Sequence, residues 1–281
     1  MARVAKKDGG LLALVLTLSS AIGLYALAAP FLDPARTVAQ RTLDTARSSA
    51  RADDAPLLFF LLLGCCLLAI ILGLETRRFD ARRLAALGTL LGLNAVLRLI
   101  PGPGGFSAVF LLPILCGYVM GPTFGFLLGS LTMVVSGILV NALGPWLPFQ
   151  MLAAGWIGLI SGMIGQRARP TLAAKFESRK SPRWILLTAW AAAAGLVYGV
   201  IVNLWFWPYL ILDGDGWDPA LGLGSAIARY TLFYLGSSMW WDLGRVAGNV
   251  ILILSVGPAI VRLLRRFESR FGFTVDPATA P

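Results

Sequence analysis

PLLFFLLLGCCLLAIILGL, residues 56–74, decides the fold class. It is nineteen residues long and has no charged side chain. At about 1.5 Å of rise per residue, a helix of that length crosses a hydrocarbon core roughly 30 Å thick. In lipid every backbone N–H and C=O must be satisfied within the protein, so a segment of this kind is a helix. The same test applied outward finds Leu11–Ala29, Pro56–Leu74, Leu84–Ile100, Phe106–Met120, Thr123–Asn141, Pro148–Gly165, Trp184–Trp207 and Leu243–Val261. These stretches predict an all-α integral membrane protein of about eight spans. The fourth is short and lies between Pro101-Gly-Pro-Gly-Gly105 and Gly121-Pro122, which predicts a tilted or partly broken span.

Composition agrees with lipid as the solvent. The chain of 281 residues is 57% hydrophobic and only 14% charged, against roughly 25% charged in soluble domains. Its net charge of +10 lies in the connections and at the two ends, with no basic stripe interleaved with surface aromatics. That pattern excludes nucleic acid as the expected partner and fits the positive-inside rule. There is no histidine, which removes the commonest general base and metal ligand. Cys65, Cys66 and Cys116 sit inside apolar runs without metal-ligand spacing and read as packing residues. There is no GxxxxGK[ST] for ATP, and no acidic residue deep in a span to carry protons or sodium. Asp213-Gly-Asp-Gly-Trp-Asp218 lacks the spaced ligands and terminal Glu of a calcium loop and reads as a turn. Neither an enzyme nor a bound cofactor or metal is expected.

Charge also orients the chain. With both termini cytoplasmic, the inner connections and ends hold about seventeen Lys and Arg and the outer ones about five. Arg3 to Lys7 followed by Leu11–Ala29 also fits a signal peptide, but the run is long for one and an uncleaved first span is preferred. Residues 1–82 form two N-terminal spans joined by a polar external connection, Arg36 to Asp54; 83–270 form a six-span domain; 271–281 are a tail. Ala226–Ser238 is apolar and aromatic but too short to span, so it lies in the interface or folds back over the external mouth.

Polar residues kept within spans are functional candidates, because lipid makes them costly. Asn94 and Arg98 stand one helical turn apart near the external end of the third span, and Arg245 and Asn249 repeat the spacing on the last, with Asp242 one turn before. Snorkelling to the interface or an Asp242–Arg245 ion pair are the alternatives to ligand binding. Between the fifth and sixth spans, Asn141-Ala-Leu-Gly-Pro-Trp-Leu-Pro-Phe-Gln150 combines a tight turn with flat apolar surface (Trp146, Phe149) and uncharged amides (Asn141, Gln150). Trp240 adds aromatic surface on the same side, where an aromatic belt is the simpler account of most such residues. Ala81, Ala85, Gly88 and Gly92 give two small-xxx-small steps on the third span, for internal packing or for a partner protein.

Gly144-Pro-Trp-Leu-Pro-Phe-Gln-Met-Leu-Ala-Ala-Gly155 and Trp241-Asp-Leu-Gly-Arg-Val-Ala-Gly-Asn249, followed by the basic tail Arg262–Arg270, resemble the substrate-binding S components of energy-coupling factor (ECF) vitamin transporters. The likeness is closest to the cobalamin-type branch and covers roughly Arg83 to Arg270. It implies a six-helix S-component-like bundle, here preceded by two additional transmembrane helices, in a prokaryotic cell membrane. It further implies a vitamin bound at the external end, docking on a transmembrane T component driven by two cytoplasmic ATPases, and toppling to release cargo inward. The docking motif would fall on Ala81, Ala85, Gly88 and Gly92, and the gating loops on Pro101–Gly105 and Leu143–Pro148. Substrate contacts are expected from Asn94, Arg98, Asn141, Trp146, Phe149, Gln150, Trp240, Asp242, Arg245 and Asn249, with Arg245 and Asn249 on polar groups and Trp146 and Phe149 on a flat surface. Arg245→Ala is expected to weaken binding while leaving the bundle folded. A stand-alone carrier or channel, and a structural subunit that binds no small molecule, are the competing classes.

Overall fold

The computed structural model describes residues 2–35, 37–39, 54–76, 79–100, 102–168, 181–210 and 216–271. Most of the polar connection Arg36–Asp54, most of the basic stretch between Arg167 and Arg183, the first half of the Asp213–Asp218 turn and the 271–281 tail beyond its first residue lie outside the described residues. Among those described, the helices are α1 (Ala2–Leu32), α2 (Ala55–Glu75), α3 (Ala81–Leu99), α4 (Leu111–Met120), α5 (Pro122–Leu139), α6 (Leu147–Ala168), α7 (Pro182–Leu204), α8 (Gly222–Ser237), α9 (Met239–Ser255) and α10 (Gly257–Phe271).

Five helices, α1, α2, α5, α6 and α7, are long and apolar enough to cross a membrane, and α9 with α10 makes a sixth if that bent pair is taken as one span. The protein is therefore a multi-pass membrane protein. α3, with Arg82, Arg83 and Arg98 in its 19 residues, and α4, with only 10, fall outside that group. The final span expected at Leu243–Val261 does not form as one straight piece. The chain bends by 59° between α9 and α10, where Gly257-Pro258 interrupts the helix: the proline has no N–H and its ring collides with the carbonyl four residues back. Beyond the bend α10 is amphipathic. Val261 and Leu264 are buried while Arg262 and Arg266 are exposed. It crosses α4, with the Arg265 guanidinium 6.0 Å from the Tyr118 ring centroid, and Glu268 reaches Arg83 at the start of α3 at 3.6 Å.

The α5–α6 contact is the most extensive in the bundle, followed by α4–α6 and α7–α9. Glycine makes this possible. A Cβ on Gly117 or Gly125 would run into the Gly158 backbone, one on Gly129 into Ala154, one on Gly162 into Pro122 and one on Gly165 into Tyr118. Between helices in lipid there is no hydrophobic driving force, so this close van der Waals approach is what holds α4, α5 and α6 together. All ten residues of α4 are buried, consistent with a short helix wrapped by others. It ends at Gly121, whose φ of 103° is open to glycine and strained for other residues, and Pro122 starts α5.

The N-terminal pair, α1 and α2, packs on α6, and α2 also touches α5. The Trp156 indole N–H donates to Ser20 Oγ at 2.9 Å, and Phe31 meets Trp217 edge-on at 5.3 Å between centroids. α8 folds back on the bundle. Its Tyr230 hydroxyl donates to the Val200 carbonyl at 2.7 Å and its Tyr234 hydroxyl to Asp242 at 2.8 Å.

Candidate functional site

At its C-terminal end α3 carries Arg98 toward α5 and α6. Nη1 donates to Met133 O at 3.2 Å and Ser136 Oγ at 2.6 Å, and Nη2 to Gln150 Oε1 at 2.8 Å. One turn back, Asn94 is fully buried. Its amide donates to Val109 O and to Thr132 Oγ1, both at 3.0 Å, while its Oδ1 is buried with no hydrogen-bond partner. Asn94 thus ties α3 to α5 and to the loop ahead of α4. That loop rests against α9: a Cβ at Gly244 would overlap the Gly104 backbone, and one at Gly248 the Phe106 ring. This is where the first predicted gating loop lies, apart from Pro101, which is not among the described residues.

The second cluster lies on α9. Asp242, 0% exposed, is paired with Arg245 and accepts from the Tyr234 hydroxyl at 2.8 Å and Ser238 Oγ at 3.4 Å. Burial, and secondly the bond to the Asp242 carboxylate, push the Tyr234 phenol above its ordinary range, so it stays a donor. Gly199 on α7 faces this carboxylate so closely that no Cβ fits. Asn249 donates to the Ala191 carbonyl of α7 at 3.0 Å.

Both clusters meet at Tyr198, a residue of α7 that the sequence reading passed over. It is buried, lies 4.8 Å from Phe110 between centroids, and has the Arg245 guanidinium 5.5 Å from its ring centre. Arg98, Arg245 and Asp242 all lie within its electrostatic reach. A mid-span tyrosine is itself a signal, because a phenol placed in lipid needs a partner. Ser136, Tyr234 and Ser238 were passed over as well.

The other candidates stand apart. Asn141 is exposed and ends α5 in the left-handed region at φ 51°. Its N–H bonds Ile138 O at 3.2 Å and the next N–H bonds Gly137 O at 2.8 Å, a Schellman cap that by itself accounts for an asparagine. Phe149 is fully buried and stacks on Trp205 at 5.7 Å. Trp146 lies against Gly144 and is 37% exposed; Trp240 turns outward at 67%. Beneath the Gly144-Pro-Trp turn, the start of α2 completes an open apolar cleft of about 270 Å³ lined by Phe59, Phe60, Leu143 and Pro148. Among the described residues no three Cys, Asp or Glu side chains gather as a metal set.

This arrangement has polar groups suited to holding a small molecule. The family model for the ECF transporter substrate-specific component matches residues 82–256, from the start of α3 to just past α9. No curated protein and no solved structure gives a match. The family is one of transporter subunits and not of enzymes. With that match covering more than half of its length, the chain belongs to the substrate-specific components of ECF transporters.

Proposed function

We propose that this protein is the substrate-capture subunit of an ATP-driven vitamin importer in a prokaryotic cell membrane. Cobalamin or a related compound is taken at the external end of the α3–α9 bundle and delivered with a T component and two ATPases. The observation that carries the reading is the convergence of Arg98–Gln150 and Asp242–Arg245 on Tyr198. These groups lie near the end of α3 that is roughly 22 Å, fifteen residues, from Arg83 and its neighbour Glu268 on basic α10. Polar groups at that depth are expensive to keep unless they serve a ligand or a pathway. The likeness of Gly144–Gly155 and Trp241–Asn249 to the cobalamin-type branch supports that choice of cargo.

Docking is assigned to α3. Ala81, Ala85, Gly88 and Gly92 are all exposed, and a Cβ at Gly88 or Gly92 would meet nothing within 4 Å. α1 and α2 pack on α5 and α6 and leave this stripe open. The double variant Gly88→Leu, Gly92→Leu should therefore fold. It should lower co-purification with the T component, and uptake by the reconstituted importer, about tenfold or more, one tenfold step being about 1.4 kcal/mol. Binding by the isolated subunit should stay unchanged. Wild-type recovery of the complex by the variant would remove α3 as the docking face, and uptake by this chain without any ATPase would favour a stand-alone carrier.

A further inference from the structure

Arg98 and Arg245 differ in their partners: among the described residues, Arg245 has a carboxylate and Arg98 has none. Asp242 sits against Arg245, whereas every acceptor at Arg98 is neutral: a backbone carbonyl, a hydroxyl and an amide oxygen. Among the described residues, two guanidiniums act on Tyr198 against one carboxylate, which leaves one positive charge uncompensated among them. The end of α3 contributes its partial negative charge, which offsets that excess only in part. The hydrogen bonds leave a similar remainder. Of the five guanidinium N–H groups, two on Nη1 and one on Nη2 are taken. The Nε–H and the second Nη2–H have no acceptor among the described residues. Nε and Nη2 share one edge of the fork, with the spacing that engages two oxygens of a carboxylate or phosphate.

We infer that the captured compound carries an anionic group, a carboxylate or a phosphate, and that Arg98 receives it beside Tyr198. The inference rests on the reading of this end as the binding site and adds the charge class of the cargo. Gln150 and Ser136 hold the guanidinium, and the anion supplies the missing charge. Asp242 keeps Arg245 from competing for it.

Calorimetric titration of the purified full chain with matched pairs tests this. Pantothenate against pantothenol and biotin against biotin amide make the carboxylate arm. Pyridoxal phosphate against pyridoxal makes the phosphate arm. The expected result is binding by an acidic member at least roughly 10- to 100-fold tighter than by its uncharged counterpart, the usual effect of a hydrogen bond to a charged group. The responding arm identifies the anion. Arg98→Gln should erase the preference, and Arg98→Lys, which keeps the charge but not the fork, should keep only part of it. If Arg98→Gln does not fold, the wild-type pairs and the lysine variant still decide. Equal affinity for both members of every binding pair, or unchanged affinity in Arg98→Gln, overturns the inference, makes Arg98 a brace between α3, α5 and α6, and leaves the binding site standing. No binding by any compound to folded protein overturns the site reading and the inference with it.

Discussion

Gly158→Leu is expected to keep the bundle from assembling. Gly158 lies where α6 crosses both α4 and α5, and the obstacle to a side chain there is the Gly125 backbone. A flexible neighbour can swing aside; two main chains cannot without parting the helices. Ordinary overpacking costs about 1–3 kcal/mol, and parting a three-helix contact in lipid should exceed that range. The measurement is thermal unfolding and size-exclusion elution in detergent. Gly64→Leu is the control, since a Cβ at Gly64 meets nothing within 4 Å. A monodisperse Gly158→Leu protein melting like the control would show that the α4–α5–α6 crossing is looser than described.

The second large effect concerns Arg245. Read from sequence, Arg245→Ala weakens binding in an intact bundle. In the structure, however, Arg245 is the charge partner of a carboxylate with no exposure. Removing one partner of a buried pair costs about 3–5 kcal/mol because the other charge stays behind. Arg245→Ala should therefore lower the unfolding transition markedly, and Asp242→Ala should do the same. Combining Arg245→Ala with Asp242→Asn should restore a large part of the loss, since neither charge remains. Tyr234 and Ser238 then still have a hydrogen-bonding side chain to face. If the double variant is no more stable than Arg245→Ala alone, the pair is not what stabilises the α7–α9 contact.

How much of this was legible in the sequence depends on what each feature rests on. Residues 56–74 and the other long apolar runs announce themselves, because hydropathy and helix length are local properties. The basic α10 was legible as a tail, but its 59° bend was lost in the apolar stretch Leu243–Val261, although Gly257-Pro258 marks it. Gly125-xxx-Gly129 and the series Gly155, Gly158, Gly162, Gly165 were as readable as the stripe on α3. Only the neighbours show which glycines touch a backbone and which stay open. Asn94, Arg98, Asp242, Arg245 and Asn249 stood out by the cost of polar groups in lipid, and Gln150 as an amide beside the Gly-Pro-Trp turn; the structure places their side chains between helices. Tyr198 escaped because a tyrosine among apolar residues passes for hydrophobic. Trp240 and Phe149 depend on which helix face meets a neighbour, and nothing in their local sequence decides that.

The central claim is that this chain captures a vitamin at the end of the bundle holding Arg98, Tyr198 and Arg245. The most direct test is tryptophan fluorescence of the purified, folded protein titrated with a panel of vitamins and precursors, cobalamin included. With Trp205 stacked on Phe149 in the helix that opens beside Gln150, the account predicts saturable quenching by one compound or one close chemical group. A flat response to the whole panel from protein that melts cooperatively would contradict it and favour a structural membrane subunit.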